Sequence, residues 1–239
     1  MPRERCYCPE PPIAGRLVLT GDEAHHLARV RRVGAGTLVE VFDGVNPMAW
    51  PARVVASSPR EVELEIDGEP IVGREPAVAL TLAVALPKGD RVDWLVEKAV
   101  EVGVSRLVPL RTERSVVDPR DAKLDRLRRR VVEASKQCGR NRLMEVAAPI
   151  AWDAFRGGVA GGAARLIAHP AGVEPGAWPS LERDRSRLLA VGPEGGWSDA
   201  EVEAAVDDGW TPVGLGPILM RIETAALVGA ALVLLGARA

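Results

Sequence analysis

Aromatic residues make up only 4% of this chain, as six Trp, two Phe and one Tyr. That is too few for a base-stacking strip, which excludes an RNA platform of the RRM kind. Three cysteines, Cys6, Cys8 and Cys138, exclude a disulfide framework and suit a reducing compartment. No second Cys/His pair at ligand spacing follows Cys6-x-Cys8, so no metal is expected. The longest apolar run, 225–236, is too short to span a bilayer, and residues 1–5 lack the apolar core of a secretory signal. A cytoplasmic protein without membrane association is the expectation. A net charge of −2 gives no global pull toward a polyanion. No internal repeat is evident.

What is present divides in two. Residues 1–72 read as a small β domain, with strands at 16–19, 37–42, 49–56 and 61–66 separated by turns such as Asp43-Gly44 and Ser58-Pro59. One helix, 22–33, interrupts them and ends at Gly34. Short strands in this number suggest a small barrel. The polar, Pro/Gly-rich stretch 67–76 reads as a linker. From 73 to 239 the pattern alternates between strand and helix, which argues for a parallel α/β sheet. Its strands are expected at 78–86, 107–110, 165–168, 188–191 and 211–215. Its helices are expected at 88–102, 122–138, from Ser198 onward and at 223–235. The glycine-rich 157–162 reads as a mobile loop.

Two strand–glycine loop–helix units stand in tandem near the end. Gly192-Pro193-Glu194-Gly195-Gly196 follows the strand at 188–191, and Leu215-Gly216-Pro217-Ile218-Leu219-Met220-Arg221-Ile222-Glu223-Thr224 follows the strand at 211–215. Such loops form ligand sites at the carboxyl ends of parallel strands. A phosphate cradle carries a Lys, but the first loop holds Glu194 and no base. A neutral or cationic nucleoside fits better than a triphosphate. Glu223 and Thr224 suit a helix start. Arg221, directly before an apolar helix, has no such structural reason and is a candidate for meeting an electron-rich atom. His169 closes a strand, where a site residue and a hydrogen-bonded structural histidine are both reasonable readings.

Charge is unevenly distributed. Arg120–Arg142 holds nine basic residues against three acids, while Glu194–Asp208 holds six acids and no base. Arg140 and Arg142 flank a Gly–Asn turn, where guanidinium forks could meet phosphates. His25, His26, Arg29, Arg31 and Arg32 form a second basic cluster. A polyanion would be steered to both.

Taken together these segments resemble the RsmE family of SPOUT-class methyltransferases, which modify 16S ribosomal RNA. The resemblance rests on Arg5-x-Tyr7, His26-Leu27-x-Arg29-Val30, Lys88-Gly89, Lys98-x-x-Glu101-x-Gly103-Val104 and Glu113-Arg114-Ser115. It is strongest at Gln137-Cys138-Gly139-Arg140-Asn141-Arg142, at the Gly-Pro-Glu-Gly-Gly loop and at Arg221-x-Glu223-Thr224-Ala225.

The resemblance implies a PUA-like β-barrel at 1–72 and a SPOUT domain at 73–239 whose carboxyl end forms a trefoil knot. It implies a homodimer that binds S-adenosylmethionine and methylates N3 of a uridine, on 16S RNA or the 30S subunit. The implied cofactor contacts in the first loop are Gly192, Glu194 and Gly195. Those of the second loop are Leu215, Gly216, Ile218 and Leu219, with His169 and Thr224 beside them. Arg221 would stabilise the uracil carbonyls, and Glu223 or a water would take the N3 proton. Arg5, His26, Arg29, Arg32, Arg114, Arg140 and Arg142 would contact RNA. Two other readings remain at this point: a related enzyme acting on a ribose 2′-hydroxyl, and a non-catalytic ribosome-assembly factor that keeps the fold.

Overall fold

A computed structural model describes residues 3–10, 12–158, 162–178 and 186–235. Residues 159–161 of the segment read as a mobile loop lie outside the described residues. The chain forms two compact units, Met1–Glu75 with Ser135–Leu143, and Pro76–Ala134 with Met144–Ala239. Among the described residues no helix is long and apolar enough to cross a membrane.

The first unit holds β1 (Glu4–Tyr7), β2 (Arg16–Thr20), α1 (Gly21–His25), β3 (Leu38–Phe42), β4 (Met48–Ser57), β5 (Glu61–Ile66) and β6 (Ile71–Val72). Its strands pair in the order β1-β3-β4-β5-β2, with β6 on β4, and only β1 and β3 run parallel. Alternation places Leu17 and Leu19, Val39 and Val41, and Val62 and Leu64 in one core with Cys6, Cys8, Ala24 and Leu27. Burial of each such aliphatic side chain stabilises the unit by about 1.5–3 kcal/mol. The expected barrel is not closed by hydrogen bonds, because among the described residues no rung joins β1 to β2.

The helix expected at 22–33 is shorter than its pattern suggested. α1 ends at His25 and continues as a wide π-type turn, His26–Val30, in which the Arg31 amide donates to the His26 carbonyl at 3.0 Å. Only Ala24 and Leu27 are fully buried along it, too thin a stripe to hold a longer helix on the core. Arg32 then takes a left-handed conformation, φ 54°, and the chain returns Val33 to the core.

A short segment from later in the chain joins the first unit. Ser135–Leu143 belongs to the first unit, because the Glu75 carboxylate accepts the Asn141 and Arg142 amides at 2.8 and 2.9 Å and the Arg140 Nε at 3.2 Å.

The second unit contains β7 (Leu80–Val84), α2 (Arg91–Val102), β8 (Arg106–Arg111), α3 (Asp121–Cys138, whose last turn belongs to the first unit), β9 (Glu145–Val146), β10 (Ile150–Ala151) and α4 (Trp152–Gly157). It continues with β11 (Ala164–Val173), β12 (Arg187–Val191), α5 (Asp199–Asp207), β13 (Thr211–Val213) and α6 (Ile222–Leu235). The sheet is parallel throughout, in the order β10-β8-β7-β12-β11-β13 with β9 on β8. Chain order therefore reverses between β7 and β12, where open α/β sheets bind ligands. Leu188 and Ala190 of β12 face a core with Trp152, Trp197 and Trp210, while Leu189 meets Gly229 of α6 on the other face. Strand β12 is buried on both faces, so after Arg187 its sequence is a continuous apolar run, Leu188–Val191.

Strand β11 is longer than expected and pairs with both β12 and β13, its register to β13 slipping between Ala168 and Val173. At the slip Gly172 lies against Val213 and Gly214 so closely that a Cβ on Gly172 would fall on the Val213 backbone. The Gly214 amide donates to the Val173 carbonyl at 2.8 Å. Gly172→Ala is expected to lower the midpoint of urea unfolding, by about 1–3 kcal/mol of overpacking. Gly176→Ala, which meets nothing within 4 Å, should leave that midpoint nearly unchanged.

Candidate active site

Strand β12 ends at Val191, and the first glycine loop turns at once. The Gly196 amide donates to the Pro193 carbonyl at 2.9 Å, with Gly196 at φ 71°. A Cβ on Gly192 would stand 3.0 Å from the Trp197 indole, so glycine there lets the indole lie beneath the loop. Trp197 Nε1 donates to the Ala168 carbonyl at 3.1 Å and ties the loop to the end of β11. Trp152 supports the indole with ring centroids 4.7 Å apart, and Trp210 stands edge-on to Trp152 at 5.1 Å. The second loop leaves β13 through Gly214 and Leu215 and turns at Gly216, φ 118°. Ile218 and Leu219 are 76% and 85% exposed, unusual for aliphatic side chains in one loop.

The loops, the end of β11 and the start of α6 enclose a cavity of about 460 Å³. That volume suits a ligand of nucleoside size. Of the residues expected to hold a cofactor, His169, Gly192, Glu194, Leu215, Gly216, Ile218 and Leu219 line it, and so does Arg221. Gly195 and Thr224 do not; Gly195 lies instead against the Arg114 side chain. His169 Nδ1 accepts the Ala171 amide at 3.2 Å.

Glu223 stands beside the cavity and not in its wall. The cavity takes Ile222 and Ala225 from the first turn of α6, one helical face. Glu223 lies off that face, only 7% exposed, with Oε2 3.5 Å from Arg91 Nη1 and no hydrogen-bond partner of its own. This carboxylate faces the Arg91 guanidinium. Arg91 Nη2 also lies 3.3 Å from Glu194. Arg91 thus links α2, the first loop and α6, and sequence reasoning did not single it out. Its signal was its place just after β7, beside β12 in the sheet, but strand order is needed to read it.

The arginines expected at RNA also divide. In the first unit Arg5 points inward. Its Nη1 donates to the Ser135 and Arg140 carbonyls at 3.0 and 3.2 Å, its Nη2 to Asn141 Oδ1, and its guanidinium lies 4.7 Å above the Phe42 ring. Burial lowers its pKa from the ordinary arginine value, with Glu40 opposing that shift. Arg140 is 6% exposed and paired with Glu75. Neither is displayed to a phosphate, because the Gln-Cys-Gly-Arg-Asn-Arg turn is closed inward by Glu75. Arg29, Arg32 and Arg142 are exposed, and His26 lies 4.0 Å from Glu4. Within the second unit the basic run of α3 is largely paired, Arg126 with Asp93, Arg128 with Asp125 and Arg130 with Glu97. Arg114 donates to the Gly195 and Trp197 carbonyls at 2.9 and 3.4 Å. Among the described residues no cluster of three or more His, Cys, Asp or Glu could hold a metal ion.

A glycine-loop cavity at the carboxyl ends of the parallel strands β11, β12 and β13, in a chain with a small β unit, matches a known class. The sequence model of an RNA methyltransferase domain matches residues 74–234, and that of an RNA methyltransferase PUA domain matches residues 19–67. Ribosomal RNA small subunit methyltransferase E of Synechocystis is 34% identical over 229 residues, covering 93% of this chain and 74% of that protein. The chain belongs to the ribosomal RNA small subunit methyltransferase E family. Two solved structures are similar over nearly the whole chain. The Neisseria gonorrhoeae enzyme of that name, bound to S-adenosyl methionine, has a TM-score of 0.89 at 30% identity, covering 96% of this chain and 95% of that one. A methyltransferase from Legionella pneumophila with the bound cofactor SAM has a TM-score of 0.88 at 30% identity, covering 98% and 97%.

Arg91→Ala and Glu223→Gln are expected to lower stability and methyl transfer non-additively, with a coupling of about 1 kcal/mol or more in urea unfolding. If Glu223→Gln abolishes transfer that Arg91→Ala retains, Glu223 acts on the substrate directly.

Proposed function

We propose that this chain methylates N3 of one uridine in the 16S RNA of the small ribosomal subunit, using S-adenosylmethionine held between the two glycine loops. The observation that carries the reading is the cavity wall itself. It joins apolar surface from Leu215, Ile218 and Leu219, a carboxylate at Glu194 and a cation at Arg221. The donor set fits the cofactor: aliphatic walls for an adenine, loop backbone for its polar edge, and Glu194 for a cationic ligand. When bound, the cofactor supplies an activated methyl group on a sulfonium.

The protein's own tasks are orientation and charge. His169, Gly192, Leu215 and Gly216 would hold the cofactor. Arg221, exposed at the cavity wall, would meet the uracil carbonyls and stabilise the negative charge that develops as N3 loses its proton. With Glu223 held by Arg91, water receives that proton. N3 lies on the Watson–Crick edge, so the base must be unpaired when it enters.

Residues 1–72 serve RNA binding in this reading and residues 73–239 catalysis, with Ser135–Leu143 assigned to the RNA-binding unit. Exposed Arg29, Arg32 and Arg142 are its candidate phosphate contacts. A trefoil knot at the carboxyl end is part of the same reading. A homodimer is favoured by the exposed Ile218 and Leu219 and by α6, which is apolar on every side after its first turn. Such a substrate places the protein in the cytoplasm.

Primer extension on 16S RNA or 30S subunits lacking the modification should show a new stop at one uridine after incubation with protein and cofactor. Arg221→Ala should slow its appearance about 100-fold. Methyl incorporation without a stop would point to a ribose 2′-hydroxyl, and RNA binding without methylation to a non-catalytic factor.

In the same RNA, Arg142→Ala should weaken binding and lower the salt slope by about one. Arg140→Ala should instead destabilise the first unit, because it leaves the buried Glu75 carboxylate without its guanidinium.

A further inference from the structure

Arg114 stands in a turn that follows β8, and that turn is tied to itself. Ser115 Oγ accepts the Thr112 amide at 2.7 Å and donates to the Thr112 carbonyl at 2.9 Å, while the Ser115 amide donates to the same carbonyl at 3.2 Å. A rigid turn fixes where its next side chain begins. The Arg114 stem lies against the backbone of Gly195, where a Cβ would come within 3.3 Å of the Arg114 Cβ, and its guanidinium spans the Gly195 and Trp197 carbonyls.

Glu201 joins the same turn to the loop from the other side. Its Oε1 accepts the Glu113 amide at 2.9 Å, and its Oε2 accepts the Ser198 amide at 2.9 Å. Ser198 Oγ in turn accepts the Glu201 amide at 3.4 Å, a reciprocal cap on α5. The Glu113–Glu201 bond and the Arg114 bonds thus run from one turn to both ends of the segment 195–201.

These bonds determine which groups of the loop remain for a ligand. The Gly195 and Trp197 carbonyls face Arg114, the Gly196 amide is bound to Pro193, and the Ser198 amide to Glu201. Among the described residues the Glu194 amide takes no protein acceptor, and Glu194 lines the cavity. Bracing from outside keeps that part of the loop presented to the ligand.

We infer that Arg114 is a positioning residue for the methyl-donor loop, and that it acts through the loop backbone rather than by contact with RNA. The inference rests on the assignment of the cavity to S-adenosylmethionine. Without the guanidinium, the loop loses its outer hydrogen bonds and must be ordered by the ligand at each binding event, which weakens cofactor affinity. Removal of a group that positions the donor equally in ground and transition state raises KM and leaves kcat nearly intact.

Calorimetry with S-adenosylmethionine and methyl-transfer kinetics would be run on wild-type protein and on Arg114→Ala, Arg114→Lys and Arg111→Ala. Arg111 is a nearby exposed arginine whose side chain pairs with Asp118. For Arg114→Ala the dissociation constant and KM for the cofactor should rise about tenfold, with kcat within about twofold. Arg114→Lys should recover part of the loss, and Arg111→Ala should change nothing. RNA affinity and its salt slope should stay at wild-type values in all four proteins.

Wild-type cofactor affinity in Arg114→Ala, with weaker RNA binding and a shallower salt slope, would overturn the inference and return Arg114 to the RNA surface. A cofactor loss of equal size in Arg111→Ala would overturn it as well, by showing a general charge effect. Failure of the wild-type protein itself to bind S-adenosylmethionine would instead count against the cofactor assignment.

Discussion

The close passage of Gly172 against Val213 and Gly214 is the constraint on which the site depends. Strand β11 lies between β12 and β13 there, so both glycine loops leave the sheet on either side of one strand end. The Val173–Gly214 hydrogen bond fixes the start of the second loop, and the Trp197–Ala168 bond fixes the end of the first. A cavity of nucleoside size follows from these two anchors. The Trp152–Trp197–Trp210 cluster fills the space beneath, which explains where half of the six tryptophans went. They are structural supports in the core and not stacking surfaces for RNA.

Charge is then placed on both sides of the backbone scaffold. On the cavity side stand Glu194 and Arg221. On the outer side two arginines make four contacts that hold the scaffold: Arg91 between Glu194 and Glu223, and Arg114 on two loop carbonyls. A cation on a carbonyl or a half-buried carboxylate is worth more as a geometric tie than as net stability, because exposed ion pairs contribute little. The first unit uses the same chemistry in a drier setting, with Arg5, Arg140, Asn141 and Glu75 joined around one turn. Loss of one partner there leaves a buried polar group unpaired, and that penalty is large.

The legible part of the fold was the part written locally. Glycine loops after apolar runs announced the site, and the absence of a base in the first loop excluded a phosphate cradle; the cavity forms between those loops. The alternation of strand and helix likewise gave the parallel sheet. What could not be read locally depends on distant partners. Arg5 and Arg140 looked like RNA contacts because their counterparts, Ser135, Asn141 and Glu75, are far away in sequence. Arg91 went unnoticed because its importance follows from β7 lying next to β12. The helix expected at 22–33 is helical only over 21–30 and widens to a π turn after His25, since periodicity shows a stripe but not whether the stripe is wide enough to bind the core.

The central claim is that S-adenosylmethionine binds between the loops and orders them. Amide hydrogen exchange with and without the cofactor tests it most directly, since each backbone amide reports its own protection. The account predicts slower exchange at 192–197 and 214–222 on cofactor addition, with little change in the strands of the first unit. Protection confined to the first unit, or none at either loop under saturating cofactor, would contradict it.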